Sequence, residues 1–339
     1  MKRKVSLKDI AKKVGVSTAT VSYVLSKDKE SKVSVKVAEK VKKAAKELNY
    51  QPNQIAKSLK MGKTFTIGLI VADISNPFFS HIARKIEDEA AKSDYTVVFG
   101  SSDEKAERSW DLINFLANRQ VDGFILAPTE GSEDQIKYLQ EQNIPFVLID
   151  RYFPEIDTNY VVIDNYKAAF KAVSRLIETG HKRVGMLAYL NSLHHMRDRI
   201  NGYTNAMKQN QLRLDSNWLH EINFFNLENE VKSAIDKMLS GDSPVDAIYF
   251  ATNTLAVTGL KYIDSLNYKI PDDLAIISFD QGEAFDFYYC PLTYVKQPLD
   301  ELAINAVKVL TQQIENSSET TDKICLSAQL IIRKSCSAI

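Results

Sequence analysis

The stretch that most restricts what this chain can become lies near its start, Leu7-Lys8-Asp9-Ile10-Ala11-Lys12 followed by Gly15-Val16-Ser17-Thr18-Ala19-Thr20-Val21-Ser22-Tyr23-Val24-Leu25. Ser17 suits an N-cap, with its hydroxyl taking a backbone N–H of the first turn. Val16 and Val21 then hold the two positions of a hydrophobic staple. Stepping 100° per residue puts Thr20, Val21, Val24 and Leu25 on one apolar face and Thr18, Ala19, Ser22 and Tyr23 on the opposite, small and hydrogen-bonding face. Upstream, Ser6 and Asp9 form a variant capping box, and Leu7, Ile10, Ala11 and Val14 make an apolar stripe. Gly15 permits the left-handed residue that ends one helix and turns into the next. Helix, glycine turn and capped helix together spell a helix-turn-helix, whose second helix enters a DNA major groove. On spacing alone an ordinary helical hairpin in a globular core remains the alternative.

Charge separates the two readings further. The formal net charge of the 339 residues is zero, but residues 1–63 carry +12 and the remainder −12. A basic module joined to an acidic body fits a segment that meets a polyanion, although a solvated charged face has the same composition. A third helix fits Ser34 to Leu48, with Val37, Val41, Ala44, Ala45 and Leu48 on one side and lysines covering the rest. The run Asp28 to Lys32 has loop composition. Pro52 breaks the third helix, and Asn53 caps a short piece ending at Gly62 that needs a surface to order it. Leu59 on that piece suits an apolar wedge in a minor groove; a linker with one incidental leucine is the plainer reading.

From Phe65 the pattern becomes strand–helix alternation. Strands are expected at Thr66–Val71, Thr96–Phe99, Gly123–Leu126, Phe146–Ile149, Val161–Ile163, Val184–Leu187, Ala247–Phe250 and Leu274–Ser278. Helix-length segments include Phe79–Ala91, Arg108–Ala117, Ala168–Glu178, Arg199–Met207, Glu230–Leu239 and Leu255–Leu266. Continuously apolar strands with helical crossovers imply parallel sheets covered on both faces, and the strand number favours two doubly wound lobes. The expected fold class is α/β: a three-helix headpiece, a short helix, then two doubly wound parallel-sheet lobes. The expected domains are 1–50, 51–63 and 64–339. The lobes divide at about 64–162 plus 292–323 and 163–291 plus 324–339.

Ligands of such sheets sit beyond the carboxyl ends of strands. Those positions hold Asp73-Ile74-Ser75-Asn76-Pro77-Phe78-Phe79, Asp150-Arg151, Asp164-Asn165, Asn253 and Asp280-Gln281, and Arg197-Asp198-Arg199 stands at a helix start. Carboxylates, amides, guanidinium and flat rings suit a neutral polyhydroxylated ligand, although each residue alone is equally a helix cap or a surface charge. No Gly-x-x-x-x-Gly-Lys-Ser/Thr, Gly-x-Gly-x-x-Gly or Gly-x-Ser-x-Gly run is present, which opposes a sugar-processing or nucleotide-dependent enzyme, the alternative function. Cys290, Cys325 and Cys336 lack metal-ligand spacing, and His194 and His195 diverge on a helix; no metal and no cofactor are expected. No apolar run is long enough to span a bilayer and no secretory signal follows the basic start, so a cytoplasmic protein with reduced thiols is expected. The missing signal also opposes a transport-type binding protein.

Essentially the whole chain resembles the lactose/galactose-repressor family of bacterial transcription regulators. The resemblance is carried by Leu7-Lys8-Asp9-Ile10-Ala11, Gly15-Val16-Ser17, Thr20-Val21-Ser22, Leu48-Asn49-Tyr50-Gln51-Pro52-Asn53 and Ala56-Lys57-Ser58-Leu59. Asp73 to Phe79, Gly180-His181-Lys182-Arg183, Arg199-Ile200-Asn201-Gly202-Tyr203 and Pro291-Leu292-Thr293 agree as well. It implies a core like a periplasmic binding protein, preceded by a hinge helix, in a homodimeric repressor on a roughly palindromic operator, controlled by a small effector, a sugar or sugar derivative, held between the lobes. It implies that Thr18, Ala19, Ser22 and Tyr23 face bases or nearby phosphates, and that Ser6, Leu7, Ser17, Thr20, Asn53, Lys57, Ser58 and Leu59 complete the DNA-binding set. Phe78, Asp150, Arg199 and Asp280 are expected in the effector cleft, with Asn76, Phe79, Asp164 and Asn253 as neighbours. Three residues depart from the family pattern. Tyr23 stands where Arg is common and cannot make its bidentate contact to guanine. Lys57 replaces the usual hinge Arg, and Thr254 replaces the Asp that commonly follows Asn253.

Overall fold

The computed structural model describes residues 5–25, 33–50, 62–315 and 321–337. The expected hinge helix, and with it Asn53, Lys57, Ser58 and Leu59, lies outside the described residues, as does the 28–32 connection. The chain forms two units, one ending at Thr64 and one beginning at Phe65.

In the first unit, α1 spans Leu7–Val14, α2 Thr18–Val24 and α3 Val35–Glu47. The backbone N–H and hydroxyl of Ser6 both donate to Asp9 Oδ2, at 2.8 and 2.7 Å. Gly15 adopts φ 76°, and its N–H returns to the Ala11 carbonyl at 2.9 Å, closing α1. Ser17 Oγ accepts the Thr20 N–H at 3.0 Å, which satisfies one of the orphan donors at the start of α2. Ile10, Ala11, Val21, Val24, Ala38, Val41 and Ala44 close a small core. Ala38 takes the central place on α3, while Val37, Ala45 and Leu48 pack at its margin.

The second unit carries two six-stranded sheets of the same connectivity. Strands β1 (Thr66–Val71), β2 (Thr96–Ser101), β3 (Gly123–Leu126), β4 (Phe146–Ile149) and β5 (Tyr160–Ile163) lie in the first. Those of the second are β6 (Val184–Tyr189), β7 (Leu219–Ile222), β8 (Ala247–Phe250), β9 (Ala275–Phe279) and β10 (Thr293–Lys296). Strands β11 (Lys323–Leu326) and β12 (Gln329–Ile331) complete them, giving the orders β11-β5-β4-β3-β1-β2 and β12-β10-β9-β8-β6-β7. All pairs are parallel except β12 on β10. The crossover helices are α4 (Pro77–Lys92), α5 (Ala106–Asn118), α6 (Glu133–Glu141), α7 (Asn165–Glu178), α8 (His194–Gln209), α9 (Leu227–Leu239) and α10 (Asn253–Ser265). The short α11 (Ala284–Phe287) and the long α12 (Leu299–Glu315) follow β9 and β10.

The strands read from apolar runs are present, because central parallel strands are buried on both faces: β3, β4 and β8 are buried at every residue. The lobe boundaries differ from those expected. β10 belongs to the second sheet, so the chain returns to the first lobe after Lys296 and not at 292. β5 and β11 remain wholly in the first sheet, which moves the other crossings past Ile163 and Leu326. The physical reason is pairing: Thr293, Tyr294 and Val295 complete the ladder on β9, and breaking the chain at 292 would leave that edge unpaired.

Candidate functional site

The carboxyl ends of the two sheets face one cleft. From the first lobe it is lined by Asp73 after β1, Asn76, Phe78 and Phe79 at the start of α4, Glu104 after β2, and Asp150-Arg151 after β4. From the second come Tyr189 ending β6, His195, Met196 and Arg199 on α8, Phe224 after β7, Thr252 after β8 and Asp280 after β9.

Local structure explains these placements. Asn76 caps α4 through its Oδ1, which accepts the Phe78 N–H at 3.0 Å, and Pro77 occupies the first helical position. Phe78 and Phe79 are thereby turned inward, edge to face with ring centroids 5.0 Å apart. Asp150 and Asp280 both leave the third strand of their sheet with left-handed backbones, φ 64° and 66°. Asp is among the few residue types that tolerate this conformation, and residues held there cluster at ligand sites.

Charges in the cleft are buried and mutually compensated. Arg151 makes a two-pronged pair with Glu104, Nη1 and Nη2 donating at 2.7 and 2.6 Å, and its Nε lies 3.4 Å from Asp150 Oδ2. Burial alone would lower its pKa, but Glu104 and Asp150 more than offset that, and the guanidinium is held firmly charged. Arg199 donates Nε to Asn165 Oδ1 at 2.9 Å and Nη1 to the Ala251 carbonyl at 2.7 Å, and its guanidinium lies 3.5 Å from the Phe279 ring centroid. Burial raises the Asp150 carboxyl, against the pull of Arg151 and Arg199, with Glu104 adding to the rise. Asp280 is pushed up to about 6, again by burial, against Arg199 and a 2.7 Å hydrogen bond from Gln297 Nε2. His195 is held well below the ordinary imidazole range by burial and then by the positive charges of Arg151 and Arg199. The two lobes also touch at the cleft margin. Ser192 donates its N–H and hydroxyl to Glu130 Oε1 at 2.8 and 2.6 Å, and Leu193 belongs to the same buried cluster as Ile70, Phe124 and Phe153 of the first lobe.

Six of the eight expected effector residues thus converge: Asn76, Phe78, Phe79, Asp150, Arg199 and Asp280. Asp164 and Asn253 stand outside the lining. Asp164 Oδ1 accepts the Lys167 N–H at 2.9 Å as the cap of α7. Asn253 Nδ2 donates to the Gln281 carbonyl at 3.2 Å, which ties α10 to the loop after β9. The neighbour Asn165, not Asp164, orients Arg199. Asp73, Glu104, Arg151, Tyr189, His195, Met196, Phe224 and Thr252 are lining residues beyond the expected set. For Arg151 the signal was its place two residues past the end of β4. For His195 it was the four-residue spacing to Arg199, one turn along the same helix face.

On the headpiece, Ser17, Thr18, Ala19 and Tyr23 are exposed and Ser22 is half-buried, so the front of α2 stands clear of the three-helix core. Thr20 is half-buried, its Oγ1 2.9 Å from Ser17 Oγ, which makes it part of the cap; Ser6 and Leu7 are half-buried at the start of α1.

A capped helix-turn-helix headpiece together with a two-lobed α/β receptor, its charged cleft between the lobes, defines a ligand-responsive DNA-binding regulator. Comparison with known proteins agrees. Residues 6–53 match the family described as bacterial regulatory proteins, lacI family, and residues 64–334 match the periplasmic binding proteins and sugar binding domain of the LacI family. The chain is 31% identical to the ribose operon repressor of Haemophilus influenzae, over 97% of this chain and 98% of that protein. It is 32% identical to the transcriptional repressor CytR of Escherichia coli, over 98% and 97%. A solved complex of the transcriptional regulator CelR with cellobiose superposes with a TM-score of 0.72 at 26% identity, covering 98% of this chain and all of that one (100%). The chain belongs to the lacI family of bacterial regulatory proteins, DNA-binding transcriptional repressors controlled by a small effector. These relatives are regulators, not enzymes. Among the described residues no helix is long and apolar enough to cross a membrane.

Proposed function

We propose that this chain is a cytoplasmic, homodimeric repressor whose operator affinity is set by a sugar or sugar derivative in the cleft. The observation that carries the reading is the convergence of Asp150, Arg199 and Asp280, all buried, on a space bounded by the carboxyl ends of both sheets. A ligand there contacts both lobes at once, so its binding free energy favours one interlobe geometry over others. In a homodimer that geometry is transmitted to two headpieces on a pseudo-palindromic site. Thr18, Ala19, Ser22 and Tyr23 are the base- and phosphate-facing residues of α2, supported by Ser6, Leu7, Ser17 and Thr20. Beyond the headpiece, Asn53, Lys57 and Ser58 contact the backbone and Leu59 wedges into the central minor groove. Ribose and cellobiose, from the names of the relatives, indicate the class of effector.

The test uses the full chain and DNA that it selects from a random pool. Fluorescence anisotropy with and without ligand is expected to show about a tenfold or larger change in operator Kd. Arg199→Lys keeps the charge but loses the planar fork on Asn165 and Ala251; it is expected to abolish the ligand response and leave unliganded DNA binding unchanged. Leu59→Ala is expected to lose operator affinity while ligand binding and dimerisation persist. A ligand response in Arg199→Lys equal to that of the unaltered chain would reject the cleft as the effector site.

A further inference from the structure

We infer that the cleft accepts an uncharged polyhydroxylated ligand and that His195 is the residue that decides which hydroxyl pattern is read. The inference rests on the cleft being the effector site and concerns what it selects.

The charge balance of the lining comes first. Asp73, Glu104, Asp150 and Asp280 face the cleft against two arginines. Arg151 has its fork occupied by Glu104 and its Nε beside Asp150. Arg199 is therefore the cation with capacity left, and it lies in the field of both Asp150 and Asp280. A phosphate or carboxylate placed against Arg199 would meet two buried carboxylates of its own sign, where screening by water is weak. A hydroxyl meets no such conflict, because it donates to a carboxylate and accepts from a guanidinium at the same time. The rings of Phe78, Phe79 and Phe224 add flat apolar walls of the kind that cover C–H faces.

His195 then supplies the selectivity. It is 4% exposed and lines the cleft one helical turn before Arg199. Its Nδ1 is enclosed and unpartnered. An enclosed lone pair without a donor is tolerated better than an enclosed N–H without an acceptor, and the neighbouring guanidiniums favour the lone pair further. Burial first, and then the same positive charges, suppress the imidazolium form. The ring proton therefore resides on Nε2, the nitrogen left to meet a ligand, and His195 presents a single donor. A ligand oxygen must stand opposite it. A ligand lacking that oxygen leaves a buried N–H unpaired, and sites of this construction reject such analogues strongly.

The experiment takes the full chain through thermal-shift screening and then calorimetry with neutral mono- and disaccharides, including D-ribose and cellobiose, their phosphate esters, and the corresponding aldonic and uronic acids. Stabilisation by neutral members and none by the charged derivatives is expected. Among monodeoxy analogues of the best neutral ligand, one is expected to bind about tenfold or more weakly. In His195→Leu that penalty should fall to about one while the other analogues keep their order; His195→Gln, which retains an N–H donor, should keep part of it. Tighter binding of a charged derivative than of its neutral parent, no stabilisation by any neutral member, or an unchanged analogue pattern in His195→Leu each overturns the inference. Operator release by an anionic ligand would overturn it and leave the effector reading standing. A neutral sugar that binds without altering operator affinity would do the reverse.

Discussion

Asp280 illustrates how the proposed ligand site is kept ready at the expense of stability. Its carboxyl titrates near 6 in the folded chain against an ordinary 3.8. Between those values the folded form holds a proton that the unfolded form has released, so stability falls as pH rises through that window. The ionised side chain then costs roughly 3 kcal/mol above it. Asp280→Asn removes the charge and keeps an oxygen for the Gln297 amide. Without ligand, its melting temperature near pH 7.5 is expected to exceed that of the unaltered chain by about 6 °C. The gain should shrink on acidification and vanish toward about pH 4, while ligand affinity falls at every pH. Differential scanning calorimetry across the pH range checks this, and equal melting temperatures at neutral pH would show that the carboxylate is compensated in the empty cleft. Asp150 and Asp280 were legible in the sequence because strand ends announce themselves by a polar residue after an apolar run; Arg199, within α8, was legible from the Arg197-Asp198-Arg199 run and the family resemblance. Asp164 and Asn253 obey the same rule yet serve a cap and a loop tie, and sequence does not distinguish the two uses of a short polar side chain. Glu104 and His195 reach the cleft through tertiary packing: one lies past an edge strand, the other on a helix whose start falls at His194 and not at Arg197.

Among the elements, those bounded by the caps read from the sequence were legible to within a few residues: Ser6 and Ser17 each stand immediately before a helix. Of the edge strands, β2 was legible and β7 and β11 were not. β7 mixes His220 and Glu221 into its ladder and β11 has exposed residues at alternate positions, so neither shows a continuous apolar run. Helix α8 shows what an element must do beyond presenting Arg199. It packs on α7 so closely that a Cβ at Gly202 would stand 2.5 Å from the Tyr166 carbonyl oxygen, 2.8 Å from Ala169 Cβ and 2.9 Å from the Phe170 nitrogen. Two of those atoms are backbone, so no rotamer change relieves the clash. Gly202→Ala is expected to push the helices apart and destabilise the core by about 1–3 kcal/mol, although Ala is the better helix former. Because Asn165 on α7 orients Arg199 on α8, effector affinity should fall as well. Urea unfolding of the full chain, followed at the core tryptophan Trp218, checks the first expectation and calorimetry the second. A midpoint equal to that of the unaltered chain would mean that α7 and α8 separate freely at this point.

At the scale of the molecule, two sheets of the same strand order place Asp150 and Asp280 at matching positions, the third strand of each, so one cleft is built from two halves of similar design. Two lobes could be inferred from strand number alone; the return of the chain after Lys296 could not, since β10 is short and belongs to the second lobe by pairing. The charge distribution extends the division of labour further. Residues 1–63 carry +12 and the remainder −12, so the operator and the effector meet opposite fields. The acidic body repels a DNA backbone, and attraction is confined to the headpiece. Each phosphate neutralised by a Lys or Arg releases counterions, so operator affinity should fall steeply with salt. For a dimer with about 6–10 phosphate contacts, raising salt from 50 to 200 mM is expected to weaken operator binding by about 10³–10⁵. An uncharged ligand releases no counterions, so effector affinity over the same range should change by less than about twofold. Anisotropy titrations with DNA and calorimetric titrations with ligand, run in the same buffers, give the two slopes side by side. A shallow DNA slope would remove the basic headpiece from the recognition of operator, and a steep effector slope would mean that the cleft binds a charged molecule after all.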